Sequence, residues 1–231
     1  VNLFVNGYKI IGPIELGPYY KTFSFNTVEG GRFRIGGRTS NDFSKRLMLD
    51  GYLAYGLKDE RYKYGGGFLY VIKKNPRMAL SMHAKHDLEQ LGQSDNAFSQ
   101  DNILGSLFRS SSTYKLTDVI EYTGYFEKEW LYGLSNKLIF TNRTLRPAGN
   151  SYQYNRFDKE LNSEVRVNNL VTTEIGLYTR FAYKEKFVYG EFERISLGTK
   201  HPTLEVLFSV GIPNLMGSQF QYQKFQARVS D

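Results

Sequence analysis

The 231 residues contain no cysteine and carry 30 Lys plus Arg against 23 Asp plus Glu, a formal net charge of +7. Without cysteine there is no disulfide scaffold, thiolate nucleophile, cysteine-bound zinc or lipidated N-terminal Cys. Mean hydropathy is −0.44 and no apolar run approaches the roughly 18–20 residues of a membrane helix, which excludes helical spans but not a barrel whose alternating strands average out.

Aromatic residues make up 16% of the chain, with 18 Tyr and 17 Phe. They suit pleated surfaces, and Tyr also suits membrane interfaces, where one end is dry and the other wet. The cations are spread among acids rather than clustered, so no nucleic-acid partner is expected.

In chain order, Val1 to Tyr20 predicts one or two irregular strands, because Pro13 and Pro18 forbid a central ladder position. The stretch Asn26 to Lys58 organises the rest. Phe33, Ile35 and Thr39 alternate with Arg32, Arg34 and Arg38; after SNDFSK, Leu47, Leu49, Leu53, Tyr55 and Leu57 alternate with Arg46, Asp50, Tyr52 and Lys58. A period of two sends successive side chains to opposite faces, so the stretch predicts a hairpin with one apolar and one charged face.

Further strands follow from the same alternation. They are Tyr62 to Ile72, Met78 to Glu89 after a turn at Lys74–Arg77, Thr117 to Trp130, and a weaker one, Lys137 to Leu145. The series continues with Val171 to Tyr183, Phe187 to Leu197, Leu204 to Ile212, and Gln219 to Val229 with a phase slip near Lys224. Two polar loops, about 90–113 and 146–168, separate the strands; in the first, Asp101 is a candidate cap for a short helix bearing Ile103, Leu104, Leu107 and Phe108.

The links alternate between two ends. Short ones lie near Asn41, Pro76, Tyr132, Glu185 and Leu215; the others lie near Asp59, in the two long loops and at Gly198 to Pro202. Short turns at one end and long loops at the other are the pattern of transmembrane barrels. The expected fold is therefore all-β: an antiparallel up-and-down transmembrane β-barrel segment of about ten strands. Residues 1–231 are expected to form a single barrel region, truncated at both ends and part of a larger barrel.

Six motifs carry a family resemblance: GPIELGPY (Gly12 to Tyr19), the run Asn26 to Arg32, GGRT (Gly36 to Thr39), FSKRL (Phe43 to Leu47), GYLAYGLKD (Gly51 to Asp59) and ISLGTKHP (Ile195 to Pro202). In this order they resemble a Gram-negative outer-membrane family of unknown function. Its members carry an N-terminal carboxypeptidase-regulatory-like domain ahead of a large barrel. The resemblance implies an outer-membrane location and brings no activity, cofactor or catalytic residue.

Candidate chemistry is sparse. EGGRFRIGGRT lacks GxxxxGK[ST] and no helix follows it, so a phosphate loop is not expected. Arg32, Arg34, Arg38, Asp50 and Lys58 share a parity and are the candidate site: a lumen-facing charge network, with a cation-lined path or anion site as the sharper alternative. Glu29 lies at the strand start with its side undecided, and has no recognisable partner for acid–base work. His83 and Asp87 share a strand face while His86 points away, so the three do not converge on a metal without a bulge. His201 falls in a distant turn, NRT (Asn142 to Thr144) is a sequon of little meaning in this setting, and Ser110 to Ser112 read as loop. With no Ser, His and Asp grouping, covalent catalysis is unsupported.

The sequence thus predicts a non-enzymatic outer-membrane barrel protein of a Gram-negative bacterium, with a structural, assembly or transport role and no cofactor. Its expected partners are outer-membrane lipid and other envelope proteins, the latter through loops 90–113 and 146–168. The alternative is a secreted soluble β-sandwich binding glycan through Tyr-rich loops; a lipid hydrolase built into a barrel is a third.

Overall fold

A computed structural model of the chain describes residues 7–90, 116–149, 152–158, 162–190 and 192–230. The helix expected after Asp101, the serine run at 110–112 and most of the first long loop lie outside them. The described residues are β structure with two single-turn 3₁₀ helices, Tyr19–Lys21 and Leu215–Gly217. The strands are β1 (Lys9–Ile11), β2 (Ile14–Leu16), β3 (Phe23–Asn26), β4 (Gly30–Thr39), β5 (Leu47–Gly56), β6 (Tyr62–Lys73), β7 (Met78–Gln90) and β8 (Leu116–Leu131). They continue with β9 (Leu134–Pro147), β10 (Tyr154–Asp158), β11 (Ser163–Val167), β12 (Leu170–Ala182), β13 (Lys186–Tyr189), β14 (Arg194–Gly198), β15 (Thr203–Gly211) and β16 (Tyr222–Ser230).

Twelve strands form one antiparallel sheet in the order β1-β2-β4-β5-β6-β7-β8-β9-β12-β15-β16, with β3 also on β4. The two prolines act at one edge, as their missing N–H groups require. Between β2 and β3 the chain leaves β4 through Pro18 and the first 3₁₀ turn, so two short strands share the outer edge of β4.

Register fixes the two faces. Leu47, Tyr70, Leu80, Phe126, Leu138, Leu177, Phe208 and Phe225 are successive cross-strand partners from β5 to β16. Three residues along, an odd step, the phase flips to the row Arg38, Asp50, Gly67, His83, Thr123, Thr141, Glu174, Gly211 and Tyr222. A single-residue slip anywhere would exchange these rows. β16 stays in register throughout with Phe225 opposite Phe208, so the phase slip expected near Lys224 is absent.

Three further expectations are corrected. The sheet is not closed into a barrel: among the described residues β16 pairs only with β15, and β1 and β3 pair with nothing beyond β2 and β4. The weak strand at 137–145 is instead a 14-residue strand paired along both edges, because β8 and β12 flank it. Residues 187–197 are not a crossing strand. They belong to a separate hairpin of β13 and β14, and β12 pairs directly with β15. The break is local: Gly190 N–H donates to Glu193 O at 2.8 Å and folds the run back on itself. The link near Glu185 is therefore long and takes in Gly198 to Pro202, which puts the Leu215 link at the opposite end from the one expected; the remaining links at the Glu185 end, 40–46, 74–77 and 132–133, are short. The second polar loop also holds a small hairpin, β10 with β11.

Burial runs opposite to that of a soluble sheet. Ile35 is 73% exposed, Phe225 70% and Met82 56%, whereas Glu29, Lys63, Glu129 and Glu185 on or beside the other face are 5% or less.

Candidate functional site

The charged face carries sets of ion pairs built from neighbouring strands. At one end Glu29 is fully buried. Its carboxylate meets Lys63 Nζ at 2.8 Å and Arg32 at 3.5 Å, and accepts a hydrogen bond from Asn26 Nδ2 at 2.6 Å. Lys63 also pairs with Asp59. The tight turn at 27–29 puts Glu29 here: its N–H donates to the Asn26 side-chain oxygen at 2.8 Å, and Gly30 follows at φ +66. Turn geometry rather than strand parity thus decides its side.

Arg32 makes a two-pronged bond to Asp87, at 2.7 and 2.9 Å. Tyr52 Oη donates to the same carboxylate at 2.6 Å, and the Leu88 N–H donates at 2.7 Å. β4 and β7 are three strand spacings apart, about 14 Å in a flat sheet. That is more than these two side chains span, so the sheet curls toward its charged face. Glycine permits the curl and the close layer: the Tyr52 ring lies over Gly65, where an added Cβ would meet Cε1 at 2.5 Å.

Lys85, Glu121 and Arg143 are direct register partners on β7, β8 and β9. With Glu89 they form a square: Lys85 to Glu121 is 3.2 Å, Arg143 to Glu121 2.7 Å, and both cations also reach Glu89. Further along, Arg180 pairs with Glu185 and Glu205, Tyr178 Oη donates to Glu205 at 2.7 Å, and Lys224 pairs with Glu174.

The predicted network residues fare differently. Arg32 and Arg38 sit in it, Arg38 holding Glu15 at 2.7 Å and Glu193 at 3.2 Å. Arg34 faces the same way with its guanidinium 3.7 Å from the Tyr52 ring centroid, a cation–π contact. Asp50 lies opposite Arg38 in register, yet its carboxylate lies 3.5 Å from the His83 ring nitrogen instead. Lys58 is a correction: β5 ends at Gly56, so Lys58 falls in the following turn and its Nζ donates to Thr27 O at 2.8 Å. The cation that parity misassigned to Lys58 is supplied by Lys63.

The histidines and Asp87 diverge. His83 faces Asp50, His86 meets Asp118 at 2.7 Å on the apolar-phase side, and Asp87 is taken by Arg32 and Tyr52. Among the described residues no group of three or more His, Asp or Glu could hold a metal ion.

An apolar island interrupts the charged face. Leu69, Val71 and Ala79 stand in the charged phase, and Phe192 from the β13–β14 hairpin packs on them, flanked by Met48 and Tyr125. Beside it Arg194 pairs with Glu129 at 2.8 Å and Arg77 with Glu127 at 3.3 Å. At the hairpin root, burial alone would push the Glu185 carboxyl up. Bonds from the Arg180 guanidinium and the Ser196 hydroxyl outweigh that and hold it below its ordinary value of 4.5. Parity missed this seat because Leu69 and Val71 were absorbed into one long β6 run; two apolar residues in the charged phase were the available signal.

Acids match bases closely across the face, and each predicted arginine except Arg34 is held by carboxylates. Chemically the arrangement is an ionic layer cross-linked between strands. An extended antiparallel sheet with a packed ionic face and an open apolar face is the class these features define. The chain matches the C-terminal domain of a family of unknown function (DUF5686) over residues 8–231, and it belongs to that family. No curated protein and no solved structure matches it.

Proposed function

We propose that this domain is part of the wall of an outer-membrane β-barrel in a Gram-negative bacterium, with lipid against its apolar face and the charged face lining the interior. Its role is structural, assembly or transport rather than catalytic. The observation that carries this reading is the inverted burial: an open apolar face across the whole sheet, backed by buried carboxylates and ammonium groups. In water such a face is unfavourable by about 25 cal/mol per Å²; in hydrocarbon it carries no such penalty.

Two features support the reading. The apolar face ends in aromatic belts: Tyr55, Tyr62, Tyr64 and Tyr122 toward the long-loop end, and Trp130 and Tyr183 toward the short-turn end. Such girdles flank the apolar band of transmembrane barrels. The 13 residues of β12, at about 3.4 Å each and tilted about 45°, span roughly the 30 Å of a bilayer core. A secreted sandwich would need a second sheet over Leu53, Met82 and Leu177, all of which are exposed.

Fractionation tests the proposal. The full-length protein should sediment with outer membrane and require detergent for extraction. Recovery as a monodisperse species in plain buffer would overturn it.

A further inference from the structure

At the short-turn end, three links are tight and one is not. Residues 183–202, between β12 and β15, form the β13–β14 hairpin, which folds over the charged face instead of projecting away. Its reach is long. Rooted at β12 and β15, it places Glu193 3.2 Å from Arg38 on β4, six strand positions across the sheet. On the way Arg194 pairs with Glu129 of β8, and Phe192 fills the island of Leu69, Val71 and Ala79 on β6 and β7. The island supplies, within the phase that elsewhere carries charge, an apolar seat for that side chain. The contacts are of two kinds: an apolar anchor next to the tip, and ion pairs on either side of it.

We propose that residues 183–202 are a strap that closes the charged interior at its short-turn end, seated by Phe192 and released when that side chain leaves the island. The strap obstructs hydrated ions and small polar solutes. This rests on the membrane-wall reading, since only there is the charged face an interior.

The test uses the full-length protein with Met48→Cys as the reporter, residues 1–231 having no cysteine of their own, and labelling is read against the same protein with Met48 intact. Met48 packs beside the seat, so a water-soluble methanethiosulfonate should label it slowly. Adding Phe192→Asp should accelerate labelling in detergent about tenfold or more, as expected of a segment that opens locally, and Phe192→Leu should not. In planar bilayers Phe192→Asp should raise single-channel conductance several-fold. Glu193→Arg, which breaks only the tip contact at an exposed residue, should give a smaller change in the same direction. Equal labelling and equal conductance in all four proteins would overturn the strap. Since labelling is read in detergent, it tests the strap separately from the membrane reading, which falls if the protein remains soluble without detergent.

Discussion

The two faces of this sheet share every strand and differ in what holds them. On the apolar face, neighbours such as Phe208 and Phe225 or Leu138 and Leu177 stand opposite each other across one strand spacing and remain open on top. On the charged face, side chains reach across two or three strands, Tyr52 and Arg32 both ending on Asp87. The first set depends on its solvent for stability, the second on its own pairing. A surface that needs hydrocarbon and a surface that needs a complete set of counter-charges fail in different ways, and substitutions can separate them.

The largest effect is expected on the apolar face. Leu53→Lys, Phe68→Lys and Leu177→Lys together place three ammonium groups in the lipid-facing phase, each unfavourable by about 2–4 kcal/mol near the bilayer midplane. Heat-modifiable gel mobility and outer-membrane fractionation should both show loss of assembly; normal assembly would mean that the faces are assigned backwards.

On the charged face Asp87→Ala strands Arg32 and Tyr52 without their shared acceptor. Removing one partner of a buried pair typically destabilises by about 3–5 kcal/mol, readable as a lower denaturant midpoint in detergent. The double variant Arg32→Met with Asp87→Leu should recover most of that loss. If the double variant is as unstable as the single, Asp87 acts through something other than charge pairing.

A steric probe comes next. Gly65→Ala puts a Cβ 2.5 Å from the Tyr52 ring, so the ring must lift and weaken its bond to Asp87. About 1–3 kcal/mol is expected for such overpacking, together with a changed Tyr fluorescence. Combining it with Tyr52→Phe should be less than additive; strict additivity would uncouple the glycine from the network.

Glu185 gives the pH-dependent member of the series. Its carboxyl is held lower in the folded state than in the unfolded chain, so its contribution is complete above the unfolded value and is lost as pH falls through the folded one. Unfolding midpoints of the native protein and of Glu185→Gln should therefore converge in acid and separate toward neutral pH. The smallest effect belongs to Lys58→Ala. That side chain is exposed at a turn and bonds only a backbone carbonyl among the described contacts, so it should change stability by less than about 0.5 kcal/mol, whereas Lys63→Ala, which strands Glu29 and Asp59, should behave like Asp87→Ala.

Much of this was legible in the residues. The alternation from Gly30 to Gly56 predicts β4, β5 and their faces because a strand has a period of two, and cross-strand order then follows from short links. The links themselves misled at one place. Phe187, Tyr189, Ile195 and Leu197 carry strand-like residue types, so the run read as one strand, although Gly190 marks its turn. Lys58 was assigned by extrapolating parity past the strand end, and Glu29 was left undecided, because turn dihedrals take over at both positions.

The sequence by itself determined that the chain is a β meander with one greasy and one ionic side, since that depends only on local periodicity. It could not determine that Arg32 finds Asp87, 55 residues away, that Lys63 rather than Lys58 neutralises Glu29, or that Phe192 crosses the sheet to cover Leu69 and Val71. Those pairings depend on how far the sheet curls and which strands become neighbours. Only the assembled tertiary structure decides them, because Coulombic and packing contacts act over a few ångströms of space and are blind to distance along the chain.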